Sequence, residues 1–301
     1  MNLSSIKIHF LVPVIFFVNL LFLGIYVHQD YNISSDEEIE QRNGIVSLTY
    51  VGDRFQIAKI QNNPVVLESR HIPPLYQYVD RDYPVGFNLL AVLLQQTLGI
   101  TEERQIYYFR HLLTFFIVLL GLIAIFRMAE RRFQTWGAGL LAVVIFLLTP
   151  RLFAEAFYNS KDLVFLAYFA IASNCAISYI LKPRWVSLIF LSLATALAIN
   201  VRVMAIIIPL AAIALLVIWN ISSLNLKQLP LKKLSIQVIS YIFLSSLFTI
   251  FLWPWLWEDP LLNFGVALQN MSKFRWDIEM LFLGKLISSA RLPWYLSLIH
   301  I

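Results

Sequence analysis

The sequence predicts an all-α fold: a polytopic transmembrane helix bundle of about eight membrane segments, with a long first extracytoplasmic loop carrying short surface helices. Three observations point there. Of the 301 residues, 59% are hydrophobic and only 14% are charged, against roughly 45–50% and about 25% in an ordinary soluble domain, and a soluble fold of this size cannot hide the excess. The apolar residues gather in runs close to the ~20 residues that a helix needs to span a hydrocarbon core. The basic residues fall in short clusters between those runs, which is the pattern of topology signals. The net charge of +5 therefore gives no reason to expect a nucleic-acid partner.

Taken in order, the runs 10–28, 107–127, 136–152, 163–181, 185–201, 204–220 and 236–257 read as spans, and a last apolar stretch begins near 294. The first run is too long for a signal-peptide core and no small-x-small cleavage site follows it, so it reads as an uncleaved first helix. Residues 84–100 are also apolar but include Asn88, Gln95 and Gln96, which suits a helix lying on or dipping into the membrane surface. The single cysteine, Cys175, lies within an apolar run. It has no partner for an internal disulfide and reads as a small packed residue. The chain stops at Trp-Tyr-Leu-Ser-Leu-Ile-His-Ile, partway into the last apolar stretch, and is expected to be the N-terminal part of a longer protein.

Orientation follows from the short loops. Lys7, Arg127, Arg131, Arg132, Lys182, Arg184, Lys227, Lys232 and Lys233 all fall on one side if the spans alternate, with Glu130 as the only acid there. The positive-inside rule makes that side the cytoplasm. The other side receives two large loops, 29–106 and 258–293, and all the remaining acids. Residues 1–301 are thus expected to form a single transmembrane domain with its chemistry on the extracytoplasmic side. A bacterial inner membrane is the expected setting.

Four groups of residues could carry that chemistry. Asp36, Glu37, Glu38 and Glu40 follow the first span directly; they are either solubilising charge or a general base held at the height of a lipid head group. The stretch Thr149-Pro150-Arg151 to Asn159-Ser160-Lys161-Asp162 joins two spans externally. Arg151 and Lys161 sit on the wrong side for topology signals, so they are either interface cations paired with Glu155 and Asp162 or a site for a phosphate. Arg202 is the only charge between two long apolar runs and must find an anion or water. Trp253-Pro254-Trp255 reads first as interface anchoring, with Tyr76, Tyr78, Asp80 and Asp82 a weaker aromatic-acidic group. The five His show no metal-ligand spacing, and no Gly-rich phosphate loop, GxSxG or HExxH occurs.

The Asp36-Glu37 pair resembles the acidic pair in the first external loop of the GT-C superfamily, polytopic glycosyltransferases that use lipid-phosphate-linked sugars. Pro150-Arg151, Asn159-Ser160-Lys161-Asp162, Trp253-Pro254-Trp255, Asp259-Pro260 and Leu292-Pro293-Trp294-Tyr295 are similar to bacterial members related to dolichyl-phosphate-mannose protein mannosyltransferases (glycosyltransferase family 39). The resemblance covers essentially the whole chain. It implies a sugar donor on a polyprenyl phosphate, an acceptor hydroxyl on a protein, lipid or glycan, and transfer with inversion. Asp36, with Glu37, would be catalytic. Arg151, Lys161 and Arg202 would bind the donor phosphate, supported by Asn159, Asp162, Asp80 and Asp82. No metal or cofactor is expected, because a neutralised lipid phosphate is already a good leaving group.

Two other classes compete. A transporter or flippase for a lipid-linked or anionic solute should carry ionisable residues at the bilayer midplane and broken helices in matched halves; here the charges crowd at the external ends. A non-catalytic scaffold would tolerate Asp36→Asn and Lys161→Ala.

Overall fold

The computed structural model describes residues 3–223, 231–271 and 279–289. The apolar stretch from 294, the Leu292–Tyr295 motif and Lys227 lie outside the described residues. Apolar runs become helices because a chain in lipid must satisfy every backbone N–H and C=O internally. The order is α1 (Leu3–Val27), α2 (Glu37–Arg54), α3 (Ala58–Gln61), α4 (Pro64–Glu68), α5 (Gly86–Thr97), α6 (Glu103–Phe133), α7 (Trp136–Leu147), α8 (Pro150–Tyr158), α9 (Asp162–Leu181), α10 (Trp185–Ile199), α11 (Ile207–Ser223), α12 (Leu231–Leu252) and α13 (Pro260–Met271).

Among the described residues, four helices are long and apolar enough to cross a membrane: Glu103–Phe133, Asp162–Leu181, Val203–Ile221 and Lys232–Leu252. Two shorter apolar helices, Leu11–Val27 and Trp185–Ile199, accompany them. The expected span 136–152 is corrected. It breaks into α7 and α8, which meet at 78°, because Pro150 has no N–H to donate and forces the residue before it out of the helix. Thr149 accordingly adopts extended angles, φ −88° and ψ 101°. The expected span 236–257 is likewise shifted to α12, and the chain leaves the helix before Pro254. Within this helical fold, β1 (Glu279–Phe282) and β2 (Lys285–Ser288) form a short antiparallel hairpin in the second large loop.

At the centre, α9 packs between α6 and α10, and α10 packs on α12. Buried Ile117, Val164, Ala167, Ala172, Ala194 and Ala198 share one core. Small residues let these helices approach, since lipid supplies little hydrophobic drive between them. α6 and α9 approach closely at Gly121, where a Cβ would lie 2.6 Å from the Ala167 Cα. Gly121→Ala is therefore expected to cost about 1–3 kcal/mol by overpacking, read as a lower melting temperature in detergent. An unchanged melting temperature would show that α6 and α9 do not meet there.

The first large loop is not a loose surface layer. Its α2 is 18 residues long and packs against α5. Phe87, Asn88, Ala91, Val92 and Gln95 of α5 are all buried, so the 84–100 segment is wedged into the protein. Gly86 N–H donates to the Asn200 carbonyl at 2.9 Å, tying the start of α5 to the end of α10. Trp253 and Trp255, expected as interface anchors, are instead 0% and 6% exposed. They form a core with Val85, Val203, Leu256 and Ala267 beneath the two large loops.

Candidate functional site

The end of the bundle formed by the start of α6, the start of α9 and the close of α10 carries the candidate site. Four acids at its edge diverge because successive helical residues turn by about 100°. Asp36 stands just before α2, and its carboxylate makes no cap hydrogen bond. Glu37 turns inward, 2% exposed, accepts from Ser34 N–H at 2.8 Å and pairs with His111 Nε2 at 3.1 Å. Glu38 turns outward to Arg42, 2.6 Å away. Glu40, one turn beyond Asp36, is buried at 4% exposure.

Glu40 is the hub. Its Oε1 pairs with Lys161 Nζ at 2.7 Å, and its Oε2 accepts from Asn88 Nδ2. The Asn88 Oδ1 in turn accepts from Arg110 Nη2 at 2.7 Å. Arg110 is 1% exposed, and its guanidinium lies 5.9 Å from the Phe87 ring centroid. A carboxylate this deep persists as an ion only with such donors around it.

Lys161 lies between α8 and α9, with its ammonium 5.0 Å from the Tyr83 ring centroid. Burial alone would depress its pKa, but the charge and hydrogen bond of Glu40 outweigh that and raise it above the ordinary lysine value. Asp36 adds to the rise and Arg202 opposes it, so all three neighbouring charges act on the Lys161 ammonium. Arg202 pairs with Asp162. Asn159 donates to Asp162 Oδ2 at 3.4 Å and to Glu155 Oε2 at 3.3 Å, and its Oδ1 accepts from the Asp162 N–H at 2.7 Å.

A cavity of about 110 Å³ opens between these elements, lined by Ser34, Ser35, Asp36, Glu40, Tyr158 and Asn159, with Ser160 and Lys161. Of the sequence-derived site residues, Asp36, Asn159 and Lys161 line it, and the Arg202–Asp162 pair adjoins it through Asn159. Glu37 does not line it. Arg151 is exposed, held by Glu155 at 2.8 Å, and stands outside the cavity wall. Asp82 is buried and accepts from Asn270 Nδ2 at 2.8 Å, joining the two large loops. Asp80 is buried as well. Nearby, burial above all pushes the Tyr78 hydroxyl up to about 12 while it donates to Asn43 Oδ1 at 2.8 Å.

The sequence reading named Glu40 only as one of four clustered acids and did not single out Arg110 or His111. The available signal was charge placed inside an apolar run: Arg110 and His111 both fall within the span 107–127, and Asn88 within 84–100. Among the described residues, no group of three or more His, Cys, Asp or Glu is arranged to hold a metal ion.

Comparison with curated proteins and with solved structures returns no match. A family model matches residues 84–253, more than half of the chain, and by that match the protein belongs to the dolichyl-phosphate-mannose-protein mannosyltransferase family.

Proposed function

We propose that the protein transfers a sugar from a polyprenyl-phosphate-linked donor to an acceptor hydroxyl at the extracytoplasmic membrane face, with inversion. The observation that carries this reading is one cavity lined both by Asp36, just before α2, and by Lys161, between α8 and α9. A carboxylate that can take a proton and a cation that can hold a phosphate thus share one cavity. The family match supports the reaction class and includes Asn88, Arg110, Lys161, Asp162 and Arg202, but it begins after Asp36 and Glu40. The base assignment therefore stands on the resemblance of the acidic pair and on the lining of the cavity.

In the proposed step the acceptor O–H gives its proton to the Asp36 carboxylate as its oxygen attacks the anomeric carbon. The bond from that carbon to the phosphate oxygen breaks on the opposite face, and its electron pair leaves with the polyprenyl phosphate. Lys161 and Arg202 stabilise the charge that develops there, in a site arranged before the reaction begins. Glu37, through His111, and Glu40, through Asn88 and Arg110, position the walls; Asn159 orients Asp162. Arg151 meets the donor at the mouth. At about 110 Å³ the cavity is smaller than the roughly 300–1,000 Å³ of typical small-molecule sites. It holds the reacting atoms, while the lipid chain lies along the helices.

The orientation rests on the opposite end of the bundle. Arg127, Arg131 and Arg132 close α6, Lys182 and Arg184 flank the end of α9, and Lys232 and Lys233 open α12, which supports that end as cytoplasmic. Full-length protein in proteoliposomes, given a panel of polyprenyl-phosphate sugars with candidate acceptors, should release free polyprenyl phosphate from at least one donor. Donor that crosses the bilayer without being consumed would contradict the transferase reading.

A further inference from the structure

A larger cavity lies away from the carboxylate site. It encloses about 630 Å³ and lies between the end of α9, the start of α10 and the start of α12, among Tyr179, Arg184, Trp185, Lys232, Lys233 and Gln237. Lys161 precedes the first residue of α9 and Tyr179 is near its last. The 20-residue helix, at 1.5 Å per residue, therefore separates the two cavities by roughly 30 Å, one membrane thickness.

Among the described residues, three cations border this cavity and no carboxylate lines it. Among the described residues, none of the three forms an ion pair. The acid at this end, Glu130, lines a separate groove with Arg127 between α1 and α6. Lys232 and Lys233 also stand in the first turn of α12, which has no acid, where the helix dipole disfavours positive charge and an anion would relieve it. Topology signalling needs cations in the loops, but it does not need them around a concavity. The rim is apolar as well as basic: Trp185 is 63% exposed and Ile236 is 46% exposed, an arrangement suited to a head group with acyl chains attached.

We infer that this cavity binds the phosphate head group of an anionic membrane lipid, with Arg184, Lys232 and Lys233 on the phosphate and Trp185 and Ile236 against its chains. Basic pockets between helices at the cytoplasmic end are the usual form of such sites. The inference is independent of the sugar-transfer reading, because no residue is shared between the two cavities.

Native mass spectrometry of the full-length protein, titrated in detergent with dioleoyl phosphatidylglycerol, dioleoyl phosphatidylcholine or inorganic phosphate, tests it. Phosphatidylglycerol should be retained over phosphatidylcholine. Arg184→Gln alone, and Lys232→Gln with Lys233→Gln, should weaken its retention by about fivefold for each cation removed. Lys182→Gln, an exposed cation of the same loop that does not line the cavity, should leave retention unchanged. Equal retention of the two lipids would overturn the proposal, as would an equal loss in Lys182→Gln. If inorganic phosphate at millimolar concentration displaced phosphatidylglycerol, the site would be one for free anions and the lipid assignment would fall. All the variants change exposed side chains, and a melting curve of each confirms folding before titration.

Discussion

Lys161→Met is expected to lose both stability and sugar transfer, by separable routes. Lys161 keeps 23% of its side chain exposed while its partner Glu40 keeps 6%. Removing the cation leaves a buried carboxylate with Asn88 as its hydrogen-bond donor and the Arg110 charge behind it, and the cost is expected toward the lower end of the ~3–5 kcal/mol seen when one partner of a buried pair is removed. Adding Glu40→Gln should restore most of that stability, because a neutral amide can still accept from Asn88 without a buried charge. It should not restore transfer: loss of one donor to the developing phosphate charge is expected to lower turnover by about 10²–10³-fold. Thermal melts and donor consumption on the single and double variants separate the two effects. A double variant that regains full transfer would remove Lys161 from the phosphate.

Asp36→Asn should lower turnover by about 10²–10⁴-fold, the usual contribution of one positioned base, while leaving the fold intact. The side chain is exposed, does not cap α2, and among the described residues its one hydrogen bond is from Ser35 Oγ at 3.5 Å. Donor binding should persist, because Lys161 and Arg202 are untouched. The companion Glu37→Gln should behave differently. Its carboxylate is buried against His111, so the expected outcome is a lowered melting temperature with a smaller loss of turnover.

The contrast between these neighbours shows what the sequence could and could not carry. Four acids after an apolar run are visible as a cluster, but only helical rotation sorts them. Asp36 lines the cavity, Glu37 and Glu40 face inward, and Glu38 meets Arg42 outside. That Arg202 must find an anion or water was legible from its isolation between apolar runs; that it meets Asp162, 40 residues away, needs tertiary structure. The apolar runs located the helices because burial in lipid is a property of local composition. The break at Pro150 was also written in the chain, and the hydropathy of 136–152 masked it. The burial of Trp253 and Trp255 was not readable, because the same residues in the same position serve either an interface or a core. The loops above them, which decide between the two, carry no periodic signal. Arg110 and Asn88 were legible only as polar residues in apolar runs, without the buried partner that gives them a role.

The account depends on the loop after α1 and the turn between α8 and α9 forming one cavity at the outer face. Ser35 and Tyr158 line it from opposite elements. Thiols placed by Ser35→Cys and Tyr158→Cys in a Cys175→Ser background should be joined by a short, membrane-impermeant bifunctional thiol reagent added to intact cells. A cross-link formed from outside is the predicted result. No cross-link, or one formed only after the membrane is opened to admit the reagent from the cytoplasmic side, would contradict the account.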